Sequence, residues 1–184
     1  IDACWATDMS QPPAHSGELY KIPMGLVFAS SFAAVALGVA RAALDAVLAL
    51  AADKVPGYSR QVLKDDARVQ DQLGEAEVRW RAARAYLHAT VAQVVESLPG
   101  QAAIEADQRI ALRMAGTQVM REAAVALDGA YEVAGSSGIY RDNPLHRRFQ
   151  DMKVITQHVQ ARRSHYGFVG RYLLGYPFQP GPLN

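Results

Sequence analysis

The sequence predicts an all-α protein, an up-and-down four-helix bundle, and three observations lead to this fold class. Apolar residues recur at every third or fourth position through long stretches of the chain. No long stretch alternates apolar and polar residues as a half-buried strand does. Pro-Gly pairs separate the helical stretches, at residues 56–57 and 99–100. Because long helices with short connections usually pack antiparallel, we expect a four-helix bundle.

The composition indicates one globular domain. The 184 residues are 50% hydrophobic and 20% charged, which is ordinary for a chain with a sizeable core. The net charge is +1, and no run of like charges occurs, so neither nucleic acid nor a membrane surface is an expected partner. The single cysteine, Cys4, permits no internal disulfide and favours a cytoplasmic location. Since the chain begins with Ile1 and shows no secretory leader, we expect it to be part of a longer polypeptide.

The first predicted helix, residues 24–53, has some properties of a membrane span. Residues 22–40 carry no charge, and about 20 apolar residues suffice to cross a bilayer. Pro23, two serines and many alanines keep this run only modestly hydrophobic, and the helical pattern continues past Arg41. We therefore favour a buried helix of a soluble protein. The residues before it are expected to form a loop with a short strand around Glu18.

Spacing and end signals place the other helices. The second begins near Asp65 or Asp66, whose carboxylates suit a helix N-terminus. The third covers residues 102–134, with Gly135 as its C-terminal cap. A fourth helix over residues 144–166 begins with an Asn-Pro pair. The expected buried positions of the second and third helices are Val69, Leu73, Ala76, Trp80, Ala83, Leu87, Val91, Val94, Leu98, Ile110, Met114, Leu127 and Tyr131.

The fourth helix and the loop before it carry the residues that could take part in chemistry. Spacings of three and four place one group on a shared face: Arg148, Asp151, Ile155, His158 and Arg162. His158 lies where this face borders the core, where burial could bring a histidine pKa near neutrality. From spacing alone, we prefer the interpretation that His158 has a structural role at a helix–helix contact, with its hydrogen bonds made there. The loop Gly135–Gly138 is preferably a helix cap and turn, and alternatively a backbone cradle for a phosphate or a flavin ribityl chain.

Most sequence motifs of nucleotide and metal sites are absent. There is no Walker loop, no Gly-x-Gly-x-x-Gly, no His-Glu-x-x-His and no pair of cysteines. None of the five histidines stands in a Glu-x-x-His motif of the kind that holds two metals in a helical bundle. We therefore expect no metal site.

Three segments together resemble a known family. They are Ala36–Asp45, Val69–Ala85, and Gly135–His158 with its Gly-Ser-Ser…Asn-Pro-Leu-x-Arg…Asp-x-x-x-x-Thr-Gln-His pattern. In this order they resemble the C-terminal domain of the acyl-CoA dehydrogenase superfamily. More specifically, they resemble the type-2 domain of two-component monooxygenases that use reduced flavin, of the para-hydroxyphenylacetate hydroxylase kind. The resemblance covers residues 24–175 and implies a four-helix bundle.

The resemblance also implies a domain organisation and a set of partners. Residues 23–175 would form the bundle, residues 1–22 a linker or the end of a preceding β-domain, and residues 176–184 a C-terminal tail. The parent protein would be a cytoplasmic homotetramer that receives reduced FMN or FAD from a separate flavin reductase and acts on a small molecule. Because other domains cover much of the flavin in this family, we expect this chain alone not to retain it.

Individual residues match positions of the family. In the monooxygenase branch the histidine of Thr-Gln-His lies near the flavin and supports its oxygen chemistry, which implies a catalytic role for His158. An arginine between the first two bundle helices contacts the phosphate side of the flavin in related enzymes, and Arg60 is the best match. The small-residue loop approaches the flavin of a neighbouring subunit. The cofactor-binding residues implied in and beside this loop are Gly135, Ser136, Ser137 and Tyr140.

The expected reaction follows from the absence of a carboxylate. Acyl-CoA dehydrogenases use a glutamate base, usually just after the position of His158 or near the start of the first bundle helix. Val159 and Phe28 stand at these places, and neither can remove a proton. The resemblance therefore implies hydroxylation of an aromatic or similar small molecule with reduced flavin and O₂. The chain departs from the family at Gln150 and His146, where arginine and glutamine are common and where contacts across subunits would form.

Two alternatives stay open on the sequence. The first is an acyl-CoA dehydrogenase-like flavoenzyme that acts on CH–CH groups with a base at another position. The second is a non-catalytic helical module whose role is oligomerisation.

Overall fold

The computed structural model describes residues 16–181 and 183, and every regular element within them is helical. The five α-helices are α1 (Met24–Asp53), α2 (Ala67–Ser97), α3 (Ala106–Ala134), α4 (Pro144–Gln157) and α5 (Ser164–Leu173). Single turns of 3₁₀ helix lie at Glu18–Lys21, Leu63–Asp65, Gly135–Ile139 and Val159–Ala161. The predicted all-α fold class is confirmed.

Hydrogen bonds between helix ends establish that α1 and α2 are antiparallel and that α1 and α3 are parallel. The Lys21 ammonium, just before α1, donates to the carbonyl of Leu98 at the end of α2 (3.1 Å). Lys54, just after α1, donates to the carbonyl of Ala134, the last residue of α3 (2.6 Å). The first three helices therefore run up, down and up, as short connections favour.

The fourth helix runs antiparallel to α3. Tyr131 of α3 stacks on Phe149 of α4, with ring centroids 4.4 Å apart. Asp128 of α3 accepts a hydrogen bond from Lys153 of α4 (3.0 Å). Because Asp128 precedes Tyr131 on α3 whereas its partner Lys153 follows Phe149 on α4, the two helices run in opposite directions. The up-and-down order is complete, and α3 packs against α1, α2, α4 and α5.

Small residues line the contact between α1 and α3. A Cβ placed on Gly116 would lie 2.9 Å from the Cβ of Ala29 and 3.1 Å from its carbonyl oxygen. The two backbones thus approach so closely that alanine and glycine take the place of the leucine usual in a core. The alanines of these two helices that have no exposed surface are Ala29, Ala33, Ala36, Ala40, Ala43, Ala115, Ala123, Ala126, Ala130 and Ala134.

The helix starts follow from side-chain caps. The Asp66 carboxylate accepts from the backbone N–H of Arg68 (2.8 Å), so α2 begins where the sequence predicts. The third helix begins at Ala106 rather than at residue 102, because Glu105 and Gln108 form a capping box that orders the start four residues later.

Two further expectations are corrected or lie outside the described residues. The strand expected around Glu18 is wrong: Glu18–Lys21 forms a 3₁₀ turn, and no strand lies in the described part of the chain to pair with it. The expectations for Cys4 and for most of the segment 1–22 fall on residues outside those described.

Among the described helices, α1 has the length and apolar composition of a membrane span. The core helix of a soluble bundle has the same properties. In this structure one side of α1 is buried against the other helices and the other side is exposed.

Candidate functional site

The predicted fourth helix is broken at His158. Helix α4 ends at Gln157, His158 takes an extended backbone conformation (φ −66°, ψ 150°), and the turn Val159–Ala161 leads into α5. The expectation of one helix over residues 144–166 is therefore wrong. The shared face expected on it is wrong for His158 and Arg162, which lie outside α4. Its first three members, Arg148, Asp151 and Ile155, do lie on α4.

The His158 ring is held from two sides. It stacks on Phe32 of α1, with ring centroids 4.1 Å apart and an interplanar angle of 12°. Its Nδ1 accepts a hydrogen bond from the backbone N–H of Gln160 (3.3 Å). A neutral ring with an accepting Nδ1 carries its proton on Nε2. Within residues 16–181, nothing accepts a hydrogen bond from His158 Nε2, so this donor is available to a group from outside the chain.

The helix faces beside His158 present exposed apolar side chains. Phe28, Phe32 and Val35 share one face of α1; Phe28 is 45% exposed and Val35 is 55% exposed. On α4, Val154 is 72% exposed. The helix α1 has no carboxylate before Asp45. The surroundings of His158 therefore combine one hydrogen-bond donor with apolar and aromatic surface.

A group of polar side chains, which we call the polar clasp, surrounds the turn after His158, and all of its members are buried except the half-buried Arg121. It consists of Arg113, Thr117 and Arg121 on α3, Gln160 in the turn, and His165 on α5. The helix break leaves the carbonyls of residues 159–161 without α-helical partners, and the clasp supplies donors to each of them. Val159 O accepts from His165 Nε2 (2.9 Å), Gln160 O from Thr117 Oγ1 (3.5 Å), and Ala161 O from Arg121 (2.6 Å to Nη2).

Arg113 is the most unusual member of the clasp because it is fully buried without a carboxylate. Its side chain has 0% exposure, and it donates to the Gln160 side chain (Oε1, 2.6 Å) and to the carbonyl of Gly25 on α1 (3.2 Å). It forms no ion pair with any described residue, and its Nε has no hydrogen-bond partner. Burial lowers the pKa of Arg113 to about 10, so the guanidinium is still charged at neutral pH.

The polar clasp is not among the features predicted from the sequence, although a signal for it exists. Arg113, Thr117 and Arg121 recur every four residues on α3, where the first two are buried among positions that are otherwise apolar or small and Arg121 is half-buried. A row of polar side chains on a buried face indicates that a segment with unpaired backbone groups lies opposite. Gln160 and His165 carry no comparable signal, because their positions depend on the break at His158.

The residues expected to bind the phosphate side of a flavin lie at another end of the bundle. Gly135 caps α3 with φ 55°, a conformation that favours glycine. Ser136 is exposed and Ser137 half-buried, Tyr140 is exposed, and Arg60 is exposed without a hydrogen bond or ion pair to the described residues. These residues share one end of the bundle because Lys54 joins α1 to Ala134, next to the loop.

The structure therefore does not bring all of the expected site residues together. His158 contacts α1 at Phe32, whereas Ala134, the residue before the loop Gly135–Ser137, accepts a hydrogen bond from Lys54 just after the end of α1. At 1.5 Å per residue, about 33 Å of helix separates these two points. That is longer than a flavin cofactor can bridge with its ring at one point and its phosphate at the other. Each chain thus carries two separate groups of candidate site residues.

The two departures from the family contact each other. Gln150 and His146 lie one turn apart on α4, with Gln150 Nε2 3.1 Å from His146 Nε2. Both are on the part of α4 that follows the Asn143 cap, whose side chain accepts from Leu145 N (2.9 Å). Within the described residues, no group of three or more His, Cys, Asp or Glu side chains is arranged to hold a metal ion.

Comparison with known proteins assigns the fold to a family. The C-terminal domain model of acyl-CoA dehydrogenases matches residues 30–163. An indole-3-acetate monooxygenase from Pseudomonas putida is 31% identical over 149 residues, which are 81% of this chain and 38% of the relative. A second indole-3-acetate monooxygenase, from Acinetobacter baumannii, is 25% identical over 158 residues, covering 86% of this chain and 41% of the relative. This chain therefore spans about two fifths of the length of these curated relatives.

Solved structures show the same fold. The XiaF protein of a Streptomyces species, in complex with FADH2 and glycerol, superimposes with a TM-score of 0.82 at 18% identity, over 92% of this chain and 43% of that one. A 3-HSA hydroxylase from a Rhodococcus species superimposes with a TM-score of 0.78 at 22% identity, over 89% of this chain and 43% of that one.

The match over residues 30–163 places this up-and-down bundle in the class of helical domains found at the C-terminus of acyl-CoA dehydrogenases. Within that class, the chain belongs to the acyl-CoA dehydrogenase C-terminal domain family.

Proposed function

We propose that this chain is the C-terminal domain of a two-component, flavin-dependent monooxygenase that hydroxylates an aromatic or similar small molecule. The observation that carries the proposal is the state of His158: its Nε2–H donor is unpartnered in the described chain and lies beside exposed apolar side chains. The similarity to two indole-3-acetate monooxygenases supports it, and we accordingly propose aryl or indolyl acids as the first substrates to test.

The residues near His158 fit a reduced flavin. An apolar surface with Phe28 and Val35 suits a planar ring system, and a single N–H donor suits a polar edge of that ring. When bound, reduced flavin would supply the activation of O₂, with one oxygen atom passing to the substrate and the other to water. The chain's own part is to donate a hydrogen bond from His158 Nε2, to exclude water with the α1 face, and to keep the imidazole in one orientation.

The same surroundings argue against the usual acyl-CoA dehydrogenation. That reaction needs a carboxylate to remove the α-proton of a thioester, and the segment 157–163 and the first 21 residues of α1 contain none. An imidazole whose Nδ1 is already an acceptor for Gln160 N–H, and whose Nε2 carries the proton, is a donor rather than a base.

The flavin site is proposed to combine two copies of the chain. His158 of one copy would approach the reactive ring, and Arg60, Gly135, Ser136, Ser137 and Tyr140 of a neighbouring copy would bind the phosphate or ribityl part. The separation of about 33 Å along α1 supports this division, because one copy cannot place both groups on one cofactor. We propose a cytoplasmic homotetramer supplied by a separate flavin reductase. We also retain the proposed division into residues 1–22, 23–175 and 176–184, with the flavin retained only in the presence of the remaining domains.

The proposal is tested with the full-length parent protein, a flavin reductase, NADH and O₂. Hydroxylated product is measured by mass spectrometry for a panel of aryl and indolyl acids that includes indole-3-acetate. We expect product from at least one of them, and we expect His158→Ala to lower kcat on the order of a hundredfold while the fold is retained.

The control variant is His88→Ala, which removes an exposed histidine of α2, a helix that does not carry His158. It is expected to keep most of the activity. Dehydrogenation of acyl-CoA thioesters in place of hydroxylation would instead establish the alternative flavoenzyme. No flavin turnover with any substrate, from a well-folded tetramer, would establish the oligomerisation module.

A further inference from the structure

The structure assigns a positioning role to Arg113: acting through Gln160, it holds the turn after His158 so that the imidazole keeps its Nε2–H tautomer and its place on Phe32. This inference rests on the proposed function only for its consequence in catalysis. The juxtaposition itself is a property of the described chain.

The helix break at His158 is not explained by the residues that form it. Residues 157–160 are Gln-His-Val-Gln, and nothing in these residue types forbids a helix, since none of them is proline or glycine. The break must therefore be maintained by tertiary contacts. The polar clasp provides them, because three successive carbonyls after His158 each receive a hydrogen bond from a side chain on α3 or α5.

The Gln160 residue connects Arg113 to His158. Gln160 is buried, and its Oε1 accepts from Arg113 Nη1 at 2.6 Å. The backbone N–H of the same residue donates to His158 Nδ1. Arg113 thus fixes the residue whose backbone determines which ring nitrogen of His158 is protonated. The Nη2 group of Arg113 donates to Gly25 O (3.2 Å). Gly25 lies on α1, the helix that also carries Phe32.

Burying Arg113 lowers the stability of the folded chain. A fully buried guanidinium without a carboxylate is destabilising relative to apolar packing, and the unpartnered Nε of Arg113 adds to this cost. A pair of apolar side chains could fill the same volume between α3 and the turn. The retention of Arg113 and Gln160 is explained if the pair serves the orientation of His158 rather than the stability of the bundle.

The test compares stability with the state of the His158 ring. The variants are Arg113→Met, Gln160→Leu and the double variant. The two single variants leave a buried polar partner unsatisfied and should lower Tm, whereas the double variant replaces the whole pair by apolar groups and should recover most of that loss. The ring is followed by ¹⁵N NMR of the 184-residue chain at about pH 8.5, roughly two units above the ordinary histidine pKa.

We expect one Nε2–H tautomer of His158 in the wild type, with an upfield ring shift from Phe32. We expect a mixture of tautomers and a reduced ring shift in the stable double variant. The single variant Gln160→Glu keeps an acceptor for Arg113, and it should show the single Nε2–H tautomer of the wild type. Arg79→Met is the matched control, because Arg79 bridges Glu75 and Glu122 away from the turn, and it should leave the His158 signals unchanged.

A double variant that is stable and still shows the wild-type tautomer and ring shift would overturn the inference. In the full-length enzyme, the same variant should lower kcat on the order of a hundredfold, with a smaller effect on KM. If the full-length wild-type protein hydroxylates none of the tested acids, the proposed function fails while the NMR result on Arg113 still stands, so the two failures are distinguishable.

Discussion

Single residues without side chains determine how closely the helices of this bundle approach. Gly116 on α3 lies against the backbone of Ala29 on α1, and a Cβ at this position would come within 2.9 Å of the Ala29 Cβ. Gly74, an exposed glycine within α2, has nothing within 4 Å of the place a Cβ would take. The same residue type therefore has opposite roles at the two positions.

The two glycines allow a matched prediction on stability. Gly116→Ala should destabilise the chain by about 1–3 kcal/mol, because the added methyl forces α1 and α3 apart. Gly74→Ala should stabilise it by up to about 1 kcal/mol, because alanine is the better helix former and meets no obstacle. Thermal unfolding followed by circular dichroism measures both. Equal effects of the two substitutions would mean that the close contact at Ala29 is not maintained in solution.

At the scale of elements, the sequence predicted the helices well and the helix break badly. The starts of α2 and α4 could be predicted because local side chains cap them, as Asp66 and Asn143 do. The break at His158 could not, because the groups that stabilise it come from α3 and α5. The segment after His158 has no local residue that stops a helix, so periodicity extended the fourth helix across it.

The same distinction holds for the candidate site. The identity of His158 and of the loop Gly135–Ser137 could be suggested from the sequence. Other features of the site depend on pairs of residues that are far apart in the chain. These features are the direction of the Nε2–H donor, the aromatic contact with Phe32 and the buried Arg113. Such contacts leave no periodic pattern in a single sequence.

The turn between α4 and α5 should make the stability of the chain depend on pH. Burial lowers the pKa of His165 below 6.5, although its hydrogen bond to Val159 O acts in the opposite direction, and the positive charges of Arg113 and Arg162 lower it further. Below pH 6.5 the unfolded chain therefore binds more protons at this position than the folded chain. The contribution of His165 to stability is fully present above pH 6.5 and is lost as the pH falls toward the folded pKa.

This dependence is measured as the change in Tm between about pH 7.5 and pH 5.5. His165→Gln, which keeps a donor for Val159 O and does not titrate, should show a smaller decrease than the wild type. His88→Gln is the control, because His88 is exposed on α2. The Tm of this variant should decrease as much as the Tm of the wild type. If the Tm of His165→Gln decreases as much as that of the wild type, the pH dependence comes from other groups.

At the scale of the whole molecule, the two groups of candidate site residues are at different ends of a long helix. His158 contacts α1 at Phe32, whereas the loop that contains Ser136 begins directly after Ala134, which is bonded to Lys54 at the other end of α1. The exposed apolar residues of α1, Phe28 and Val35 among them, leave a surface that other parts of the parent protein or other copies can cover. The chain therefore resembles one part of an assembly more than a self-contained binding module.

This arrangement predicts that flavin binding needs more than the chain. In a titration of the 184-residue chain with reduced FMN or FAD under anaerobic conditions, we expect no binding in the submicromolar range. The full-length parent protein is the control and should bind one of the two flavins tightly. Submicromolar binding by the chain alone would contradict both the proposed division of the site and the proposed need for further domains of the parent protein.

A mixing experiment tests the division directly. In the full-length protein, Arg60→Ala and His158→Ala should each be poorly active, because each removes one of the two groups from every site. When the two variants are unfolded and reassembled together at equal amounts, random assembly should give about a quarter of the sites an intact Arg60 from one copy and an intact His158 from another. Activity should therefore recover to about a quarter of the wild-type value, whereas each variant reassembled alone should show no recovery. A mixture that stays as inactive as its components would place both groups of each site within one copy and would refute the two-copy site.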